Sequence, residues 1–140
     1  MPLTDAERYF VENCVTKRRR ERVALELADP RRRSECLMSF SEPQKERLMQ
    51  SRMTLLPEGA SSEEALAQMC ACGCTRRTEA HLMHLSAALD QTVMPLTDAE
   101  RYQKLWHAGT AVIICPKENA TLVMLESGEY ATIKAIMRGC

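Results

Sequence analysis

The sequence predicts an α+β fold: N-terminal helices packed on a small C-terminal mixed or antiparallel sheet with one crossover helix. Three observations carry that reading. Ser/Thr-x-x-Glu starts followed by apolar residues three and four apart fill the first part of the chain. A continuous β-branched run, Thr110-Ala111-Val112-Ile113-Ile114-Cys115, lies late in it. Short apolar runs punctuated by Pro, Asn and Gly follow that run. The 140 residues suit one domain, 1–140, with a mainly helical half over 1–79 and a strand-helix-strand-strand-strand half over 80–140.

Taken in order, Thr4-Asp5-Ala6-Glu7 is a capping box that opens a helix with Phe10 and Cys14 on one face. The helical pattern continues through Thr16–Ala28, where Val23 and Leu27 stack one turn apart. Asp29-Pro30 predicts a stop and a new start, with Asp29 as N-cap and Cys36, Leu37 and Phe40 on the apolar face. Glu42-Pro43 signals another start leading to Leu48 and Met49, and Leu56-Pro57-Glu58-Gly59 a loop. Ser61-Ser62-Glu63-Glu64 caps a helix carrying Ala65, Leu66 and Met69. His81–Ser86 predicts a short strand. Thr97-Asp98-Ala99-Glu100 opens a helix running to Trp106 and closed by His107-Ala108-Gly109. Strands are then expected at 110–115, Ala120–Glu126 and Tyr130–Met137, joined by turns at Pro116–Asn119 and Ser127-Gly128-Glu129 as an antiparallel meander. The helix between His81–Ser86 and 110–115 suits parallel neighbours.

Composition narrows the class. The apolar fraction of 45% and charged fraction of 27% are those of a globular chain, and the 4% aromatics leave the core to aliphatic residues and the nine methionines. Lys+Arg and Asp+Glu both total 19, so no global field drives the chain onto nucleic acid or anionic lipid. These sums argue against a membrane protein, a repeat solenoid, a basic tail protein and a large catalytic scaffold. Met1–Phe10 holds Asp5, Glu7 and Arg8 and no apolar core, so no signal peptide is expected there. Seven cysteines without such a signal read as cytosolic thiols. The basic excess is local: residues 1–53 carry 12 basic and 9 acidic side chains.

Met1–Tyr9 (MPLTDAERY) recurs letter for letter as Met94–Tyr102, after which the sequences diverge at once. A structural repeat stays similar over a whole unit, so we read a copied helix-start cassette. Two equivalent docking epitopes are the functional alternative.

Phe10-Val11-Glu12-x-Cys14, Arg18-Arg19-Arg20-x-Arg22, Leu25-x-Leu27-Ala28-x-Pro30-Arg31-Arg32-Arg33, and the C-terminal His81–Ser86, Leu89-Asp90, Pro95-Leu96 and 109–116 segments stand out together. On these residues the chain resembles a family of short, uncharacterised bacterial proteins. The resemblance implies helices first and a small sheet second, and it brings no activity and no site. Where that family tends to have Asp-Gly and Pro-Gly, this chain has Asp90-Gln91 and Pro116-Lys117.

Two constellations bear on chemistry. Cys70-x-Cys72-x-Cys74 with His81 and His84 offers five zinc ligands within fifteen residues. The alternating spacing is unlike a zinc knuckle; soft Cu(I) binding, thiol–disulfide exchange, or small buried side chains in a turn-and-strand segment are the other readings. The second is the basic cluster Arg18, Arg19, Arg22, Arg31, Arg32 and Arg33. Successive arginines on a helix fan around it, so they read as a solvated face, an acidic protein partner's docking site, or contacts to a single nucleic-acid strand. Few aromatics lie nearby to stack bases. A Cys115 dyad with His107 or His84 lacks a Gly-rich oxyanion turn. The expectation is therefore a small cytosolic, non-catalytic protein that binds a macromolecular partner, a protein first, as an accessory, inhibitor or immunity-type factor. A metal or redox role for the cysteines and nucleic-acid binding by the arginines are the alternatives. The cysteine cluster is the one place where zinc is considered, and no membrane is expected.

Overall fold

In a computed structural model the described residues are 2–104, 111–125 and 130–134. They form helices α1 (Asp5–Cys14), α2 (Arg20–Ala28), α3 (Arg33–Ser39), α4 (Ser62–Ala71) and α5 (Leu96–Lys104). The strands are β1 (Met53–Leu55), β2 (Glu79–His84), β3 (Val93–Pro95), β4 (Ala111–Cys115), β5 (Ala120–Met124) and β6 (Tyr130–Lys134). The fold is α+β, with one six-stranded antiparallel sheet in the order β1-β6-β5-β4-β2-β3. The expected ends of the fifth helix at Trp106–Gly109, of the Ser127–Glu129 turn and of the last strand at Met137 lie outside the described residues.

The anticipated β4–β5–β6 meander is present, with Ile113 opposite Leu122 and Leu122 opposite Thr132. The expected parallel pairing of the His81–Ser86 strand with β4 is corrected: β2 runs antiparallel to β4, with Leu82 opposite Ile113. The reason is β3, three residues that include a proline and so carry little strand signal. It doubles back along β2, with Ala80 opposite Met94, before α5 begins. The crossover helix thus joins β3 to β4, two strands of like direction, and β2 lies between them. Both edge strands are three residues long, and Pro95 sits on one of them, which limits edge-to-edge pairing with other chains.

Helices cover both faces of the sheet. On one face α1–α3 and the C-cap residue of α3 supply Phe10, Val23, Leu27, Leu37 and Phe40 against Met83, Val112, Ile114, Val123 and Ile133. On the other, α4 and α5 supply Leu66, Met69, Leu96 and Ala99 against Ala80, Leu82, Ile113, Cys115 and Leu122. All five residues of β4 are therefore buried, which is why its sequence is an unbroken apolar run rather than an alternating one.

Local departures have identifiable causes. The helix expected through Thr16–Ala28 breaks at Val15, because residues 47–49 pair with the chain there. The Thr16 amide donates to the Arg47 carbonyl at 2.8 Å and the Met49 amide to the Cys14 carbonyl at 2.7 Å. Leu48 and Met49 are accordingly extended, and Pro43–Lys45 is a single 3-10 turn. Asp29 closes α2 instead of capping α3; its carboxylate accepts from the Arg31 amide at 2.9 Å and α3 begins at Arg33. Gln91 takes the left-handed conformation (φ 61°), which glycine adopts at less cost. At the other glycine-lacking turn, Asn119 (φ 56°) fills that role at the end of the Pro116–Glu118 turn.

Candidate functional site

The arginine cluster divides into an exposed set and one buried member. Arg18, Arg22 and Arg32 keep most of their side chains in solvent, Arg31 is exposed, and Arg19 is partly covered. The fan of successive arginines around α2 and the turn before α3 produces this, since α2 turns Val23 and Leu27 inward. Leu25, two residues from each of them, faces outward at 67% exposure, and Met38 on α3 is 50% exposed. A depression of about 310 Å³ is lined by Arg18, Glu21, Arg22, Leu25, Glu26 and Arg32. A cleft of about 390 Å³ shares Arg22, Glu26 and Arg32 with it and adds Glu35, Cys36, Ser39, Lys45 and Arg47.

The floor between them is an ion ladder. Arg47 donates to Glu26 Oε1 at 2.6 Å and Arg22 to Glu26 Oε2 at 3.0 Å. The Arg47 hydrogen bond, outweighing burial, holds the Glu26 carboxyl below the usual carboxylate range. Cys36 lies against the same pair, and burial, reinforced by the Glu26 charge, pushes its thiol up to about 12. At neutral pH it is a protonated, unreactive thiol. The cleft is thus a preorganised ionic surface without an activated nucleophile of its own.

Arg33 does not belong to this surface. It is 6% exposed and forms a two-pronged pair with Asp90, at 2.7 and 2.8 Å. It also donates to Glu7 and, at 3.0 Å, to the Leu27 carbonyl. Glu7 Oε1 in turn accepts from the Thr4 amide at 2.9 Å and from Gln91 at 3.1 Å, and Asp90 accepts from the His84 amide at 3.0 Å. Every charged group in this knot is satisfied. It fastens α1 and α3 to the β2–β3 loop, and its arginine was expected on the docking face; burial removes it.

The five proposed metal ligands are not brought together: among the described residues no three His, Cys, Asp or Glu side chains form a metal-holding group. The Cys-x-Cys-x-Cys segment is the end of a helix rather than a strand. Cys70 is exposed in the last turn of α4, Cys72 is its C-cap, and Gly73 (φ 108°) turns the chain so that Cys74 faces the core. His81 is near Glu79, at 3.8 Å, on β2. His84 is buried, and its Nδ1 accepts from the Ser86 amide at 2.9 Å. A Cys115–His84 dyad is likewise excluded by register. His84 pairs with Ala111, and Cys115 lies four residues, about 13 Å, further along β4; His107 lies outside the described residues.

Sequence reasoning missed Arg47, Lys45 and Leu25. The first two are brought to the arginine cluster only by the path of the chain around 43–49. Leu25 was legible, because a leucine two residues from both Val23 and Leu27 falls on the opposite side of a helix. No protein-family model, curated protein or solved structure matches this chain. Among the described residues no helix is long and apolar enough to cross a membrane.

Proposed function

We propose that this chain is a non-catalytic binding module that takes an acidic, apolar-bearing segment of a partner protein on the α2–α3 face. The observation that carries the reading is Leu25, exposed amid Arg18, Arg22 and Arg32 in the 310 Å³ depression. The arginines, a residue type enriched at interface hot spots, surround an outward leucine that offers a partner an apolar contact inside a polar border. Arginine forks match carboxylates in two-pronged geometry. Single-stranded nucleic acid fits less well, since the depression is lined by no aromatic side chain on which a base can stack.

The test is a ¹H–¹⁵N NMR titration of the full chain with a twelve-residue peptide alternating Glu and Leu, run beside an oligouridylate of equal length. The expected result is shifts confined to α2 and residues 31–39 with the peptide, weakened at least tenfold by Arg22→Glu/Arg32→Glu and by Leu25→Ser. Shifts with the oligonucleotide alone, or peptide shifts that survive those substitutions, overturn the proposal.

A further inference from the structure

We propose that Cys74 and Cys115 form a peroxide-responsive thiol pair that closes to a disulfide and clamps the end of α4 to β4. The inference is independent of the docking face, which lies on the other side of the sheet. The two thiols come from distant sequence but share one apolar cluster with Ile113 and Leu122. Gly73, in its left-handed conformation, aims Cys74 at that cluster, and the Cys74 amide is fixed at 3.1 Å on the Met69 carbonyl. Lys134 stitches the two segments together from β6: its ammonium donates to the Cys72 carbonyl at 2.6 Å and to the Glu118 carbonyl at 2.5 Å. The segment carrying Cys74 is thereby held beside the turn that follows Cys115.

Each thiol also bears on the acidity of the other. A hydrogen bond with Cys115 holds Cys74 below the ordinary thiol range, whereas the same contact and burial push Cys115 up. Cys74 is therefore the one that ionises first, and at 5% exposure against 0% it is also the one a small oxidant reaches. Its thiolate attacks the O–O bond of hydrogen peroxide; an S–O bond forms, hydroxide leaves and the product is a sulfenic acid. Cys115 then attacks that sulfur. The S–S bond forms, the S–O bond breaks, and the departing hydroxide takes the Cys115 proton as water. In sum the two thiols lose two electrons and two protons, and one peroxide becomes two waters.

Trypsin separates the partners, since Cys74 falls in Met53–Arg76 and Cys115 in Leu105–Lys117. The native full-length chain is treated with hydrogen peroxide, alkylated, digested without reductant and analysed by mass spectrometry. The expected product is these two peptides joined, lighter by two hydrogens than their sum, with two of the seven thiols lost and both restored by dithiothreitol. The link persists in Cys70→Ser/Cys72→Ser, whose replaced side chains lie outside the pair, and the oxidised chain melts at a higher temperature than the reduced one. A link confined within Met53–Arg76 overturns the proposal. So does the absence of any link at a peroxide dose that already oxidises the exposed Cys70.

Discussion

The nine residues Met1–Tyr9 and Met94–Tyr102 are identical, yet the fold uses them differently. In the first copy Thr4 is the N-cap of α1: its hydroxyl accepts from the Glu7 amide at 3.2 Å, and Glu7 returns to the Thr4 amide. In the second, the Leu96 and Thr97 amides donate to the Thr78 and Arg76 carbonyls at 2.8 and 3.0 Å. The helix begins two residues earlier in the motif, at Leu96, the counterpart of Leu3, and the Thr97 hydroxyl has no partner among the described residues. Both glutamates are buried, Glu7 at 2% and Glu100 at 3%. The first meets Arg33 and Gln91; the second accepts from the Tyr130 hydroxyl at 3.1 Å. A capping box is thus an offer that tertiary neighbours either leave standing or outbid, and the same letters yield an ionic knot in one place and a phenol–carboxylate contact in the other.

That contrast sets a scale of effects. Arg33→Met strands the buried Glu7 and the partly buried Asp90 without their cation and is expected to destabilise the chain by about 3–5 kcal/mol, read from urea unfolding. A loss under about 1 kcal/mol would mean that the knot behaves as a surface pair. Tyr130→Phe removes one donor from Glu100 and should cost about 1–3 kcal/mol; parity with Arg33→Met would erase the distinction between the copies. Thr4→Ala should cost about 1 kcal/mol, while Thr97→Ala, which removes no hydrogen bond, should stay within about 0.5 kcal/mol. Equal losses would show that both threonines cap.

The smallest effect is a pH dependence attached to the first copy's network through Asp90 and His84. Burial lowers the affinity of the His84 ring for a proton, against the pull of Asp90, and its Nδ1 must stay unprotonated to accept from Ser86. The unfolded imidazole titrates near 6.5. Below that pH the unfolded state binds a proton that the folded state refuses, so stability is greatest above about 6.5 and falls as pH drops toward the lower folded value. Thermal melts from pH 8 to 5 should show this decline, and His84→Gln should flatten it. A profile unchanged by that substitution would remove His84 from the account.

What was legible in the sequence follows from the range of each interaction. The caps at Thr4 and Ser61 and the β4–β5–β6 meander were readable because their determinants lie within a few residues. β3 was hidden by its length and its proline, and with it the antiparallel placement of β2. Arg33 looks like Arg31 and Arg32, and nothing local distinguishes it; its burial is decided by Asp90, 57 positions away. The exposed arginines were visible as a cluster, but the cleft beside them depends on Arg47 reaching Glu26 across 21 positions. Cys70-x-Cys72-x-Cys74 was open to several readings until Gly73 was seen to end a helix.

The sheet's outer pairing of Met53 with Ile133 has a consequence for biosynthesis. At typical translation speeds the interval between those two residues leaving the ribosome is on the order of ten seconds. At its start Phe10, Leu27, Leu37 and Phe40 have been made but none of Met83, Val112, Ile114, Val123 and Ile133 that bury them, and the last of these is made only at its end. The opening third of this protein is therefore the stretch a cell has to shield from aggregation while the remainder is still being translated.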